Sequence, residues 1–260
     1  HFGLIATNTI GQGDTREVGL DRLVAAGVNI HEAVPSRPWP GGANLEVAQV
    51  WARTGKWAGA VVRKGQSVRR ITSSLDIASR VSGKPHRLAA NAGQSFQGSN
   101  VLGMGFVLAP QEAQALIQKD ARNREVLFPY LNGKDLNDHP TQSASRWIIN
   151  FHDWSLERAE TYVDCMAIVR HKVRPVRAKN KRKTRRERWW QYAEVAPGLY
   201  KAIRGLDRVA ALTLVSKHLM VAAVAGKQVY AHKLCIFTEP NFAPLGLLQS
   251  TAHIQWATKH

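Results

Sequence analysis

Apolar residues in the first third of the chain come in short β-branched runs set between glycines, prolines and charges. GLIATNT (3–9) is such a run, and it reads as a buried strand. EVGLDRLVAAG (17–27) places apolar residues at 18, 20, 23 and 24 ahead of a closing glycine, which is a short amphipathic helix with a stop. VNIHEAV (28–34) returns as a strand, PSRPWPGG (35–42) is a turn by its proline and glycine content, and LEVAQVWART (45–54) alternates as a further strand. Strand, helix, strand, turn, strand is α/β material, but only part of a sheet.

Beyond residue 54 the pattern changes. GAVV and RRITSSL are short strand-like runs, and PQEAQALIQKD (110–120) has a proline at a helix start followed by good helix formers. EVLFPYLNGKDLN (125–137) reads as a strand or short helix ending in a turn at Asn132-Gly133, and RWIINFHDW (146–154) as a strand. SLERAETYVDCMAIVRHKVRPVR opens on half a capping box, Ser155 without the acidic fourth residue, and predicts a helix leading into a basic run. RVAALTLVSKHLMVAAVAGKQVYAHKLCIFTE (208–239) reads as successive strands with a turn at Gly226. The second part is a mixed α+β unit.

Charge sharpens this picture. The chain carries 36 basic and 19 acidic residues, a formal net charge of +17. Ten of the twenty residues in HKVRPVRAKNKRKTRRERWW (171–190) are Lys or Arg and only Glu187 is acidic, so about half the excess sits in one stretch. A charge so far from zero favours a polyanionic partner, nucleic acid before anionic membrane. No apolar run approaches the roughly 20 residues of a spanning helix, and the basic run has no companion apolar face. A disordered tail is poor in aromatics, whereas Trp189, Trp190 and Tyr192 adjoin this one and would anchor it to a folded body. The expected contacts are with phosphates, through Arg174, Arg177, Lys179, Lys181, Arg182, Lys183, Arg185 and Arg186.

Several chemistries find no support. The sequence has no GxxxxGK[ST], no CxxC pair and no HExxH, and its ten histidines are scattered. It has no Gly-rich FxGxG loop, no Asn-Pro-Pro-aromatic or Asp-Pro-Pro-aromatic tetrapeptide, and no acidic cluster of a metal-dependent nuclease. Neither a catalytic residue nor a metal site is expected in this chain. Two cysteines, Cys165 and Cys235, cannot build a disulfide framework and fit a reducing cytoplasm as buried residues. An apolar strand at the first residues, without an initiating methionine, reads as a chain cut from something longer.

GLIATNTIGQGDTREVGL followed by AVPSRPWPGGANLEV resembles the back half of the adenine-N6 methyltransferase domain of MmeI-like type II restriction-modification enzymes. LAANAGQSFQGSNVLGMGFVLAPQEAQALI, VLFPYLNGKDLN, RWIINFHDW, RRERWWQYAEVAPGLYKAI and LVSKHLM resemble that family's target recognition domain, in the family's order. The resemblance implies the C-terminal part of a Rossmann-like α/β methyltransferase sheet over residues 1–75, then an α+β DNA target recognition domain over 76–260. It implies double-stranded DNA as partner in a bacterial cytoplasm, with the methyltransferase and nuclease regions lying before His1. S-adenosylmethionine and Mg2+ would serve the parent enzyme, with no cofactor bound by this part.

The resemblance also implies roles. Trp39, in RPWPGG, would stack on an adenine extruded from the duplex, or else be a hairpin aromatic covering the sheet. Thr7, Asn8 and Asp14 to Arg16 follow the first strand, where open α/β sheets place ligands; Arg16 would touch a phosphate or a neighbouring loop, or the group is a simple polar cluster at a helix N-terminus. Gln94, Ser95, Phe96 and Gln97 would line the duplex or pack as a loop. Ser216, Lys217 and His218, with Tyr230, His232 and Lys233 on the next strand, are the candidate base readers, lysine to guanine O6 and N7 being a standard major-groove pairing. The alternative reading is a basic RNA-binding or ribosome-associated module; a catalytically dead regulator is a third.

Overall fold

The computed structural model describes residues 1–77, 88–216, 219–238 and 243–259. The chain divides into one unit of residues 1–86 and another of 87–258.

In the first unit, strand β1 (Phe2–Thr7) leads through a short 3-10 turn into a continuous helical segment, Gly13–Arg16, Glu17–Asp21 and Arg22–Ala25, with one π-helical turn in its middle. Strand β2 (Val28–Pro38) follows, and a hairpin returns as β3 (Glu46–Thr54). β3 is antiparallel to both β1 and β2, so those two run parallel to each other with β3 inserted between them. A helical crossover leaves room for one strand, and the hairpin fills it. Two short strands, β4 (Val61–Arg63) and β5 (Gln66–Val68), extend the far edge to give the order β1-β3-β2-β4-β5.

Ala33, Ala48, Val50 and Ala52 supply the centre of this core, with Leu20 from the helical segment and Ile71 and Leu75 from the later loop. β1 is not a buried strand. It alternates half-buried and exposed residues, Ile5 being 64% exposed, because among the described residues it is the sheet's outer edge. The expected turn over 35–42 is also shorter than its composition suggests. β2 continues through Pro35 to Pro38, and the ladder shifts register between Val34 and Arg37. A proline lacks the N–H a regular ladder needs, and an irregularity of this kind accommodates it.

The second unit holds two four-stranded sheets. One is β11-β10-β13-β6, from β6 (Ser95–Gln97), β10 (Arg208–Thr213), β11 (Val221–Ala225) and β13 (Leu234–Phe237), antiparallel throughout. The other is β12-β8-β9-β7, from β7 (Val107–Leu108), β8 (Leu127–Leu131), β9 (Arg146–Ile149) and β12 (Val229–Tyr230). The chain steps between the sheets at β12 and β13, where Ala231 donates to the Leu131 carbonyl and Ser99 bridges to Ala231. Gly98 makes that crossing possible: a Cβ there would lie 2.3 Å from the Ala231 oxygen and 2.5 Å from that of Tyr230.

The helix Pro110–Lys119 starts on its proline, as expected, with Glu112 accepting from the Ala109 N–H at 2.7 Å. Ser155 caps Leu156–Glu160. The long helix expected after it is broken into three pieces, Leu156–Glu160, Val163–Lys172 and Arg174–Ala178. Asn132-Gly133 is not a turn. Asn132 is the N-cap of the helix Gly133–Asp138, its Oδ1 accepting from the Lys134 and Asp135 N–H groups at 2.8 and 3.2 Å.

Candidate nucleic-acid interface

The basic run is folded into the second unit, and its residues divide by where they point. Val173, Trp189 and Tyr192 are buried in the same core cluster as β8, β9 and the helix Val163–Lys172. The Tyr192 hydroxyl donates to the Ile149 carbonyl at 2.8 Å and the Trp190 indole to the Trp154 carbonyl at 2.9 Å. Between these anchors Arg174, Lys179, Lys181, Arg182, Lys183 and Arg186 are exposed and Arg185 is half-buried. Arg186 donates back to the Asn180 and Lys181 carbonyls, holding the approach to the short helix Lys183–Glu187. Arg174 lies 5.6 Å from the Trp189 ring centroid, its charge still at the surface. The aromatics anchor a cationic surface, as their position in the sequence suggests.

Arg177 leaves that set. It is 2% exposed, its Nη2 donates to the Val101 carbonyl at 2.8 Å, and its Nη1 has no hydrogen-bond partner. Burial lowers its affinity for the proton, with Arg185 adding to the effect. One helical turn after buried Val173 on a helix that packs inward, position 177 falls on the core side. Composition marks it as basic, and only the helix phase reveals that it is buried.

Among the expected base readers, Tyr230 is likewise inside. It is fully buried in the second core cluster, its hydroxyl donates to the Ala225 carbonyl, and burial raises its phenol. It lies where the two sheets meet, and Val229 and Ala231 on either side of it are buried as well. Lys217 and His218 lie outside the described residues. Ser216 is exposed on the connection after β10. His232, half-buried, and Lys233, exposed, sit on the turn between β12 and β13.

That turn forms one wall of an open groove of about 480 Å³. Thr213 and Val215 continue this wall, and Val215 is 78% exposed. The helix Gly133–Asp138, which touches Thr213, also lines the groove and offers Lys134, Asn137 and Asp138. The sequence reading passed over those three, since it took the segment for a turn. A smaller pocket, about 180 Å³, opens beside His152, Asn150 and Gln228.

Gln94 to Gln97 make the edge strand β6 and its approach. Phe96 packs half-buried against the second core, while Gln94 and Gln97 each donate to a backbone carbonyl, those of Ala90 and His232. Ser95 and Gln97 remain exposed.

In the first unit, Arg16 is 6% exposed and paired with Asp21 at 3.4 Å, so its guanidinium is not offered to a phosphate. Asn8 donates to the Ser36 hydroxyl at 3.1 Å, Thr7 bonds Thr9 at 2.8 Å, and Asp14 is exposed. Trp39 stands on the β2–β3 hairpin, 41% exposed, its backbone N–H donating to the Leu45 carbonyl at 2.9 Å. Its indole lies over Gly41, where a Cβ would come within 2.5 Å of Nε1. Among the described residues no group of three or more His, Cys, Asp or Glu side chains is placed to hold a metal, and no helix is long and apolar enough to cross a membrane.

No known family profile and no curated protein matches this sequence. Solved structures do. The chain is similar in fold to the type IIL restriction-modification enzyme MmeI, whose structure was solved in complex with DNA. The superposition has a TM-score of 0.77 and covers 98% of this chain at 15% identity. It spans 35% of the length of that enzyme.

Proposed function

We propose that this chain is the DNA-reading part of a restriction-modification protein: the closing strands of an adenine-N6 methyltransferase sheet followed by a target recognition domain. The observation that carries the reading is a fold shared along nearly the whole chain with an enzyme solved on DNA, in a protein whose anchored surface run is strongly cationic. The inserted strand order of the first unit and the exposed edge of β1 agree with a sheet continued by preceding chain. In this reading the parent enzyme transfers methyl from S-adenosylmethionine to adenine N6 and cleaves nearby with Mg2+, in a bacterial cytoplasm. Both groups belong to its other regions, and this chain's residues bind and orient DNA.

Within that reading the exposed cations at 174–186 hold phosphates, and Trp39 supplies a replacement π-face for the extruded adenine. A stacked base is worth about 1–3 kcal/mol. The prolines on either side of Trp39 fix their own φ and stiffen the hairpin that presents the ring. In the complete enzyme, Trp39→Ala is expected to cut methyl transfer strongly and to leave specific-site affinity within about tenfold. Methylation at the parental rate removes the stacking role.

The reading itself is tested by competition. Side chains cannot enter the deep, narrow major groove of A-form RNA. A labelled DNA duplex bound to this chain is therefore expected to be displaced by unlabelled DNA duplex at far lower concentration than by RNA duplex of the same sequence. Equal or stronger competition by RNA supports the RNA-binding alternative.

A further inference from the structure

The geometry points to the groove between the helix Gly133–Asp138 and the β12–β13 turn as a base-reading surface for the DNA major groove, with Asn137 and Lys134 as specificity-determining side chains. This rests on the DNA-binding reading and deepens it.

The helix is held in place before any ligand arrives. Asn132 caps it, and Asp135, nearly buried, accepts from the Ser145 hydroxyl at 2.7 Å, the Ser145 N–H at 3.2 Å and the Asn132 amide at 2.5 Å. Leu136 is fully buried in the second core. Lys134 and Asn137, three residues apart, therefore share the outward face. Both are exposed. Asn137 accepts from the Thr213 hydroxyl at 3.5 Å, a long contact that tethers the amide without consuming its N–H groups. Among the described residues Lys134 forms no ion pair.

The mixture of groups decides what the groove suits. A phosphate-binding surface is lined by cations and amide N–H groups, and a carboxylate in it repels the ligand. Asp138, exposed beside Asn137, lines the groove together with Lys233. Base edges present what this set complements: adenine N6 and N7 match an Asn amide, guanine O6 and N7 match a lysine, and cytosine N4 donates to a carboxylate. Val215, 78% exposed, adds apolar surface of the kind that meets a thymine methyl. The capped helix, held by Asp135 and Leu136, gives Lys134 and Asn137 the fixed positions that base discrimination requires.

The test uses the 260-residue chain and a randomised DNA duplex library, followed by affinities on the preferred duplex and its single-base variants across a salt series. Asn137→Ala is expected to weaken the preferred duplex about 5- to 150-fold, the discrimination of one good bidentate contact, and to relax preference at one position. Lys134→Ala is expected to do so at a different position. Both variants keep the parental melting temperature, since neither side chain is buried. Preference unchanged in both variants overturns the assignment, and so does a uniform loss on every duplex with a shallower salt slope, which marks a backbone contact. Duplex binding with no sequence preference removes the groove's role and leaves DNA binding standing. Absence of duplex binding removes the DNA reading itself.

Discussion

Two substitutions in the same basic run should have opposite signatures. Lys181, Arg182 and Lys183 are exposed, and among the described residues only Lys183 of the three has a carboxylate near it, Glu187 at 3.7 Å in an exposed pair one turn on. Such a surface pair contributes about 0.3–0.5 kcal/mol at most. Replacing all three with Ala should therefore leave thermal unfolding nearly unchanged. If each cation neutralises one phosphate, the slope of log K against log salt falls by about 0.9 per residue, close to 2.7 in total. Over a fourfold rise in salt that is a difference of about 40-fold in how much affinity the parent loses relative to the variant.

Arg177→Ala should do the reverse. It removes two buried methylenes with the guanidinium, ~0.8 kcal/mol per methylene, and leaves the Val101 carbonyl without its donor, about 1–3 kcal/mol more. Relief of a buried charge with an unpartnered Nη1 offsets part of this, leaving a net loss of about 2–3 kcal/mol. For a unit of this size that is roughly 5–10 °C in melting temperature, with the salt slope unchanged. Fluorescence anisotropy on a labelled duplex at several salt concentrations, beside calorimetry of each variant, measures both. An unchanged slope in the triple variant puts the run away from phosphates. A shallower slope with no thermal loss in Arg177→Ala means that its guanidinium reaches DNA and the core assignment is wrong.

Alkaline pH should destabilise the fold. Burial pushes the Cys165 thiol up to about 12, Asp164 and Asp120 adding to it, and burial also raises the phenols of Tyr192 and Tyr200. The unfolded chain releases these protons first, so stability falls as pH rises from about 9 towards 12, and a urea midpoint that stays flat over that range refutes it. At the acid end burial holds His152 below its ordinary value of 6.5, so the unfolded chain gains its proton first and stability declines below about pH 6.5. His152→Asn, suited to the left-handed backbone at φ 51°, should flatten that part of the profile, and an unaltered acid limb would place the titration elsewhere. Gly98→Ala should fail to fold the second unit or melt far below the parent, because the new methyl meets backbone oxygens on the β12–β13 turn; a melting temperature within a few degrees contradicts the close approach.

Much of the architecture was legible from local pattern. Runs of β-branched residues marked β1, β2 and β3, Pro110 marked a helix start, and Ser155 marked a cap, because each signal acts within one turn or one strand. The anchoring role of Trp189 and Tyr192 followed from aromatics adjoining a cationic stretch. What the pattern could not supply was phase and long-range pairing. Arg177 counted as one more cation until its place one turn after Val173 put it in the core, and Tyr230 looked like a strand-surface residue until two sheets met around it. Asn132-Gly133 had the composition of a turn. Asp135 and Leu136 made it a helix by finding partners in Ser145 and the second core, contacts no neighbouring residue announces. The groove lined by Lys134, Asn137 and Lys233 joins segments about a hundred positions apart. Composition and short-range periodicity determined that this chain is a basic, mixed α/β protein with an anchored cationic surface. Only tertiary packing decided which cations reach solvent and which polar side chains face each other.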